Sequence, residues 1–395
     1  MLAAFYIFWI GTGIIVYTYI GYAMLMFFLV MLKRIFSERV KPVAGIFEPD
    51  VSLVIPCYNE RAVLERKVEN CFSLDYPKNK LQIIFITDGS TDGSPDFLKR
   101  YNELIVLHED KRAGKSTAEN RAMQFVKTPF VIFCDANTDL NSNAIREMIK
   151  HYQDEKVGAV AGEKRVKVSS RDAASAAGEG IYWQYESLLK KLDSELYSTV
   201  GGAGELISFR CSLYSALEED TILDDFIQSM RIALMGYKVI YEPNAYAEEY
   251  ASASVNEELK RKIRISAGAW QSMGRLVKAF NPFRNFFLAF NFISHKVLRW
   301  TLAPLSLFLI LPANYFLLVR VGGIYSYLFY GQLIFYVLAM LGWILENNHL
   351  RVKILFIPYY FFVTNWCMYL GFFRFISGKQ SVKWEPTRRA SSRIQ

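Results

Sequence analysis

The chain has 395 residues, of which 52 % are hydrophobic and 15 % aromatic, and it carries a net charge of +8. That is too apolar for an ordinary soluble enzyme and too charged through its middle for a bundle of membrane spans alone, so composition calls for a split architecture. The five cysteines, at 57, 71, 134, 211 and 367, have neither paired nor metal-ligand spacing, which argues against a disulfide framework and a structural zinc site. There is no nucleic-acid-binding module, and the basic residues gather beside hydrophobic runs, where an anionic membrane surface accounts for them.

Residues 3 to 32 contain no charge, a run longer than the roughly 20 residues that cross a bilayer. A basic start and a small-residue cleavage site are both missing, so residues 1–32 are expected to be a retained transmembrane helix rather than a secretory signal. Lys33, Arg34, Arg39 and Lys41 follow the run and nothing basic precedes it. The positive-inside bias therefore predicts a cytoplasmic position for the domain that comes next.

That domain, residues 33–280, alternates apolar runs with helical patterns. "VSLVIP", "LQIIFITDG", "FVIFCDAN" and "VGAVAGE" have the continuous apolar character of buried parallel strands, with helices over 60–74 and 115–126 between them. The pattern predicts an open, mostly parallel, Rossmann-like α/β sheet, in which ligands bind beyond the carboxyl ends of the strands. Three polar clusters fall at those ends: "PCYNE" (56–60), "TDGSTDGS" (87–94) and "CDANTD" (134–139). Singly, each has a local reading, as a helix cap at Asn59 or Glu60, as turn chemistry, or as a turn begun by Asp135. Together at one edge of one sheet they predict a binding site. The loop "HEDKRAGKSTAEN" places Lys111, Arg112 and Lys115 before a helix N-terminus, an arrangement suited to phosphate oxygens. Neither GxxxxGK[ST] nor GxGxxG spacing is present, so a nucleotide is expected to bind otherwise than in an NTPase or a dehydrogenase.

Further on, "VGGAGELISFR" (200–210) is a glycine-rich segment fit for close approach of an acceptor, and "TILDDF" (221–226) sets two carboxylates at a helix start. Residues 281–298 place Phe283, Phe286, Phe287, Phe290, Ile293 and Val297 at helical spacing, an expected interfacial amphipathic helix with Asn281 and Pro282 at its start. About three transmembrane helices are expected over 299–375, in runs at 299–320, 324–345 and 353–374, before a basic tail at 376–395. Three full crossings would leave that tail outside, against the preference of Lys379, Lys383, Arg388, Arg389 and Arg393 for the cytoplasm. Either the Asn365-containing run or the run with Pro304 and Pro312 is therefore expected to stop short of crossing.

The ordered set "PCYNE", "TDGSTDGS", "KRAGK", "CDANTD" and "ILDDF", with the membrane runs and the closing "GKQSVKWEPTRR", resembles membrane-integrated family 2 glycosyltransferases. These are inverting enzymes of GT-A fold and include cellulose, chitin, hyaluronan and poly-N-acetylglucosamine synthases. The resemblance implies a nucleotide-sugar site made of Pro56, Tyr58, Glu60, Asp88, Lys115, Asp135 and Arg264. Tyr58, Glu60 and Asp88 would hold uridine, Asp88 accepting its imide hydrogen, and Lys115 would face the diphosphate. Asp135 and Asn137 stand at the DxD position and would hold Mg²⁺ or Mn²⁺, with the departure that Asn137 replaces an aspartate and that Asp139 stands close enough in sequence to assist. Asp225 would be the general base with Asp224 orienting it. Glu205 and Trp270 would contact the acceptor: Arg264 matches the arginine of the family's QxxRW motif, but Ile265 stands where its tryptophan belongs. The implied activity is transfer of a hexose or N-acetylhexosamine from a UDP-sugar to a growing polysaccharide by an integral membrane protein in contact with membrane lipids. A lipid-linked glycan acceptor and a non-catalytic subunit of a synthase are the alternatives. A transporter is disfavoured, because the membrane runs contain almost no ionisable residue able to form a relay.

Overall fold

The computed structural model describes residues 1–36, 47–167, 173–250, 255–348, 352–381 and 383. Arg39, Lys41 and the tail residues Arg388, Arg389 and Arg393 lie outside the described residues.

Eight strands form one sheet: β1 (Val51–Cys57), β2 (Leu81–Asp88), β3 (Leu104–Glu109), β4 (Phe130–Cys134), β5 (Asp139–Leu140), β6 (Val157–Lys167), β7 (Leu206–Arg210) and β8 (Lys238–Tyr250), in the order β3-β2-β1-β4-β7-β6-β8-β5. β1 pairs in parallel with β2 and β4, and β2 with β3. Every residue of β1 and β4 is buried, which is why these strands appear in the sequence as unbroken apolar runs. Two hydrophobic cores cover the two faces, one around Leu53, Ile55 and Phe85, the other around Val54, Ile84 and Phe133. β1, β2 and β4 all run the same way, so Cys57, Asp88 and Cys134 reach one edge together. Helix Arg61–Phe72 follows the β1 end and helix Lys115–Met123 follows β3, both near the expected ranges.

The strands β3, β5, β7 and β8 were not legible as strands. β7, within "VGGAGELISFR", inserts antiparallel between β4 and β6. β8 shifts register against β6 between the Gly162–Glu242 and Glu163–Tyr246 pairs, around Pro243, and this irregularity breaks the two-residue period along it.

Four helices are long and apolar enough to cross a membrane: Leu2–Phe36, Leu302–Arg320, Ile324–Asn347 and Ile354–Ile376. The first has 35 residues, roughly 52 Å at 1.5 Å per residue, so it outreaches a bilayer core of about 30 Å. Its surplus docks on the sheet domain. Tyr22 donates to Asp193 at 2.6 Å, Arg34 pairs with Glu195 at 2.5 Å, and Lys33 donates to the Glu195 carbonyl at 2.6 Å, all on the helix Ala173–Leu196. Within the bundle, a Cβ on Gly11 would stand 2.7 Å from Ile310, so the first two of these helices approach closely. The last helix packs along the domain helix Val255–Arg275: Ser266 donates to the Met368 carbonyl at 3.2 Å, Trp270 meets Phe372 at 4.7 Å, and Gly371 lies against Ser266 with no room for a side chain. The phenylalanine-rich segment begins later than expected, capped by Asn285, which accepts from Leu288 N, and it leaves Phe283, Phe286 and Phe287 exposed.

Gly89 closes the β2 end with φ +70°, and a Cβ there would come within 2.9 Å of the Arg112 backbone. Gly89→Ala is expected to destabilise the domain by about 1–3 kcal/mol, read as a lowered Tm of the purified protein.

Candidate active site

A cavity of about 880 Å³ opens at the carboxyl edge of the sheet. Glu60, Lys115, Asp135, Asn137, Glu205, Asp224, Asp225 and Arg264 line it: Asp135 and Asn137 follow the end of β4, Lys115, Asp224 and Asp225 open helices, Glu205 precedes β7, and Arg264 lies within the helix Val255–Arg275. Lys115 is the first residue of its helix, released by the turn at Gly114 (φ +109°). Its Nζ stands 2.9 Å from Asp135 Oδ1, 3.6 Å from Asp224 Oδ2 and 3.9 Å from Glu119 Oε1. Burial alone would pull the lysine pKa down, but Asp135, Asp224 and Glu119 outweigh it and hold the ammonium well above its ordinary range.

The carboxylates divide by environment. Burial, then repulsion from Asp224, pushes Glu119 well above the usual carboxylate range, so it retains a proton. Burial and Asp224 also push Asp225 up, to about 7, against the opposing pull of Lys115. Glu205 goes the other way: burial opposes its ionisation, yet Lys164 at 2.6 Å and Arg261 at 3.9 Å keep it well below the usual range. Arg264 donates to the Ile222 carbonyl at 3.3 Å, while its buried Nε makes no hydrogen bond among the described residues. The backbone of Gly204 passes beside Asp225, and a Cβ there would stand 3.3 Å from Oδ2.

Several expected site residues lie off the cavity wall. Pro56 is internal to β1. Tyr58 lies under the Arg112 guanidinium, 3.7 Å from the ring centroid. Asp88 is 1 % exposed and accepts from Ala113 N and Gly114 N at 2.7–3.1 Å, so its carboxylate holds the turn that sets Arg112 on one side and Lys115 on the other. Trp270 is no platform for a sugar here, since it packs against Phe372 of the last helix. Asp139 does not assist Asp135: it pairs with Arg66 at 3.1 Å and Lys167 at 3.0 Å. In turn, the cavity is lined by residues the sequence did not single out, among them Trp183, Lys190, Lys296, Arg299 and Trp300. The i,i+4 spacing of Lys115 and Glu119 and the aromatic cluster "YWQY" at 182–185 were the available signals.

Residues 52–217 match the model of the family described as glycosyl transferase family 2. Over these residues the chain is similar to the family 2 glycosyltransferases. Over 253 residues it is 28 % identical to a poly-beta-1,6-N-acetyl-D-glucosamine synthase of Staphylococcus aureus (strain COL), covering 61 % of this chain and 60 % of that relative. A synthase of the same name from Staphylococcus epidermidis is 28 % identical over 238 residues, covering 57 % of this chain and 56 % of the relative. The chain thus spans about 60 % or less of the length of these relatives. The structure of the mannosyltransferase PcManGT from Pyrobaculum calidifontis, in complex with GDP-Man and Mn²⁺, superposes with a TM-score of 0.71 at 20 % identity, covering 94 % of this chain and 99 % of that one. The fold is therefore that of the GT-A transferases, extended by apolar helices.

The sheet domain offers a hard cation only part of a coordination shell. Among the described residues no three acidic, histidine or cysteine side chains converge as a metal site. Asp135, one-third exposed at its side chain, and Asn137 face the same cavity and supply oxygen donors. Such a pair fits Mg²⁺ or Mn²⁺ when phosphate oxygens and water complete the shell. Mn²⁺ is accordingly expected to bind the purified protein at least about tenfold more tightly with UDP present than without it, and Asp135→Ala to remove that enhancement, as measured by calorimetric titration.

Proposed function

We propose that this protein is a membrane-bound inverting glycosyltransferase that moves a hexose or N-acetylhexosamine from a UDP-sugar onto a hydroxyl of a growing cell-surface polysaccharide. The observation that carries the reading is Asp225, a buried carboxylate pushed up to about 7 in the cavity that also holds Lys115, Asp135 and Arg264. A base with a pKa near the working pH takes a proton with the best compromise between ionisation and driving force.

In this reading the donor diphosphate lies between Lys115 and Arg264, whose unpartnered Nε is one more donor for it. Glu60 lies on the wall where the uridine would sit, while Asp88, expected to accept the imide hydrogen, instead holds the turn that positions Lys115, and Tyr58 lies under Arg112. Asp135 and Asn137 would hold a divalent cation, which would supply positive charge against the departing phosphate. Asp225 accepts the proton of the acceptor hydroxyl as its oxygen bonds to the anomeric carbon. The bond from that carbon to the phosphate oxygen breaks, its electron pair leaves with UDP, and the configuration inverts. Asp224 keeps Asp225 basic by repulsion, and Glu205, ionised by Lys164 and Arg261, is placed for an acceptor hydroxyl. The polymer named for the staphylococcal relatives supports a polysaccharide product.

The same reading gives a topology. The last helix lies along Val255–Arg275 and its end brings Arg374, Lys379 and Lys383 to the cavity that holds Lys115. That favours the Asn365-containing run as the one that stops short, with three crossings, and the catalytic domain and tail together in the cytoplasm.

Two results are expected. With a panel of UDP-sugars and Mn²⁺ or Mg²⁺, wild type releases UDP from one donor, and Asp225→Asn loses about 10²–10⁴-fold of that rate with UDP affinity retained. The kcat/KM of wild type falls about tenfold per pH unit below about 7, because only ionised Asp225 accepts the proton, and levels off above. A rate indifferent to pH from 5 to 8 overturns the assignment of the base.

A further inference from the structure

The cavity has a second end, at the boundary between the domain and the apolar helices. There Lys190, Lys296 and Arg299 line it together with Tyr19, Tyr185 and Trp300, and the single carboxylate on this wall is Glu186. Glu186 is engaged by three partners: Lys296, Arg299 at 2.8 Å and His295 at 3.3 Å. Asp193, behind the wall, is taken by Tyr22 at 2.6 Å and His295 at 2.6 Å. Lys190 is 5 % exposed, and among the described residues it forms no ion pair; its ammonium faces the Tyr241 ring at 5.9 Å. Three cations against one carboxylate, in a buried wall, leave an excess of positive charge that burial makes costly unless an anion arrives.

The location says what kind of anion. In the transferase reading the donor phosphates have their own cations, Lys115 and Arg264, which line the same cavity. The two ends are linked through Phe226, next to Asp225, whose ring meets Trp300, next to Arg299, at 5.3 Å. Tyr19 on the first apolar helix and Ile357 and Phe361 on the last line the same cavity, so its cationic end is bordered by lipid-facing helices.

Building on the transferase reading, we propose that the first acceptor, on which the polysaccharide is begun, is a lipid-linked sugar whose linking phosphate sits among Lys190, Lys296 and Arg299 while its hydroxyl reaches Asp225. The lipid lies between the apolar helices, and the aromatic wall of Trp183 and Trp300 bears on the sugar.

The test uses the purified full-length protein and quenching of its tryptophan fluorescence. The probes are N-acetylglucosamine joined to farnesol through a diphosphate, the neutral farnesyl glycoside of the same sugar, and a soluble glucuronic-acid oligosaccharide. The diphosphate probe is expected to bind wild type at least about tenfold more tightly than the neutral glycoside. Lys190→Gln is expected to lose most of that preference, Lys190→Arg to keep it, and both to bind UDP with Mn²⁺ as wild type does, which shows that they are folded. Equal affinity for the two lipids in wild type overturns the proposal, as does a Lys190→Gln variant that keeps the preference. Tighter binding of the acidic oligosaccharide than of the diphosphate lipid overturns it in favour of an anionic glycan. A wild type that prefers the diphosphate lipid but binds no UDP supports the anion site and removes the transferase reading instead.

Discussion

One buried ammonium holds the catalytic edge together. Lys115 stands within 4 Å of Asp135, Asp224 and Glu119, which come from the end of β4, from the start of the helix Asp224–Leu234 and from its own helix. One positive charge cannot balance three carboxylates in a medium of low dielectric, so the cluster relieves itself by leaving a proton on Glu119 and by bringing Arg264 alongside. What remains is a buried acidic cluster in which burial first, and the neighbouring Asp224 second, push Asp225 up to about 7. The electrostatics that assemble the site thus also set the pKa of Asp225, the proposed base.

A second constraint ties this edge to the apolar helices. The first helix overshoots the bilayer thickness and ends in ion pairs on Ala173–Leu196, and that same helix carries Glu186, Lys190 and Asp193. Glu186 and Asp193 in turn grip His295 and Arg299 just ahead of Leu302–Arg320. The catalytic domain is thus clamped at two points, and its cavity meets the bundle along a wall of polar side chains rather than across a flexible linker. On the proposed reading, this clamp sets Asp225 at a fixed depth relative to the apolar helices.

Much of this was written in the sequence, and the reasons are local. β1, β2 and β4 were legible because strands buried on both faces must be continuously apolar, and their polar ends stood out by contrast. Lys115, Asp135, Asp224 and Asp225 were legible because each begins or ends such an element. Trp270 was misplaced because a helix Trp five or six residues past the motif position faces wherever tertiary packing turns it, here onto Phe372. Asp139 was offered as a metal ligand from proximity in sequence, but the two-residue strand β5 turns it toward Arg66 and Lys167. The cationic wall was invisible for a different reason: Lys190 lies more than a hundred residues before Lys296 and Arg299 in sequence, and only the packing of their helices makes them neighbours.

The central claim is that Asp225 deprotonates the acceptor for a single displacement on the face opposite the departing nucleotide. The stereochemistry of the product tests it most directly. Proton NMR of the first product formed from an α-linked UDP-sugar should show the large anomeric coupling of a β-linkage for a gluco-configured donor. An α-linked product, formed with retention, would contradict the account, because it requires a different reaction course from the one this carboxylate is placed to support.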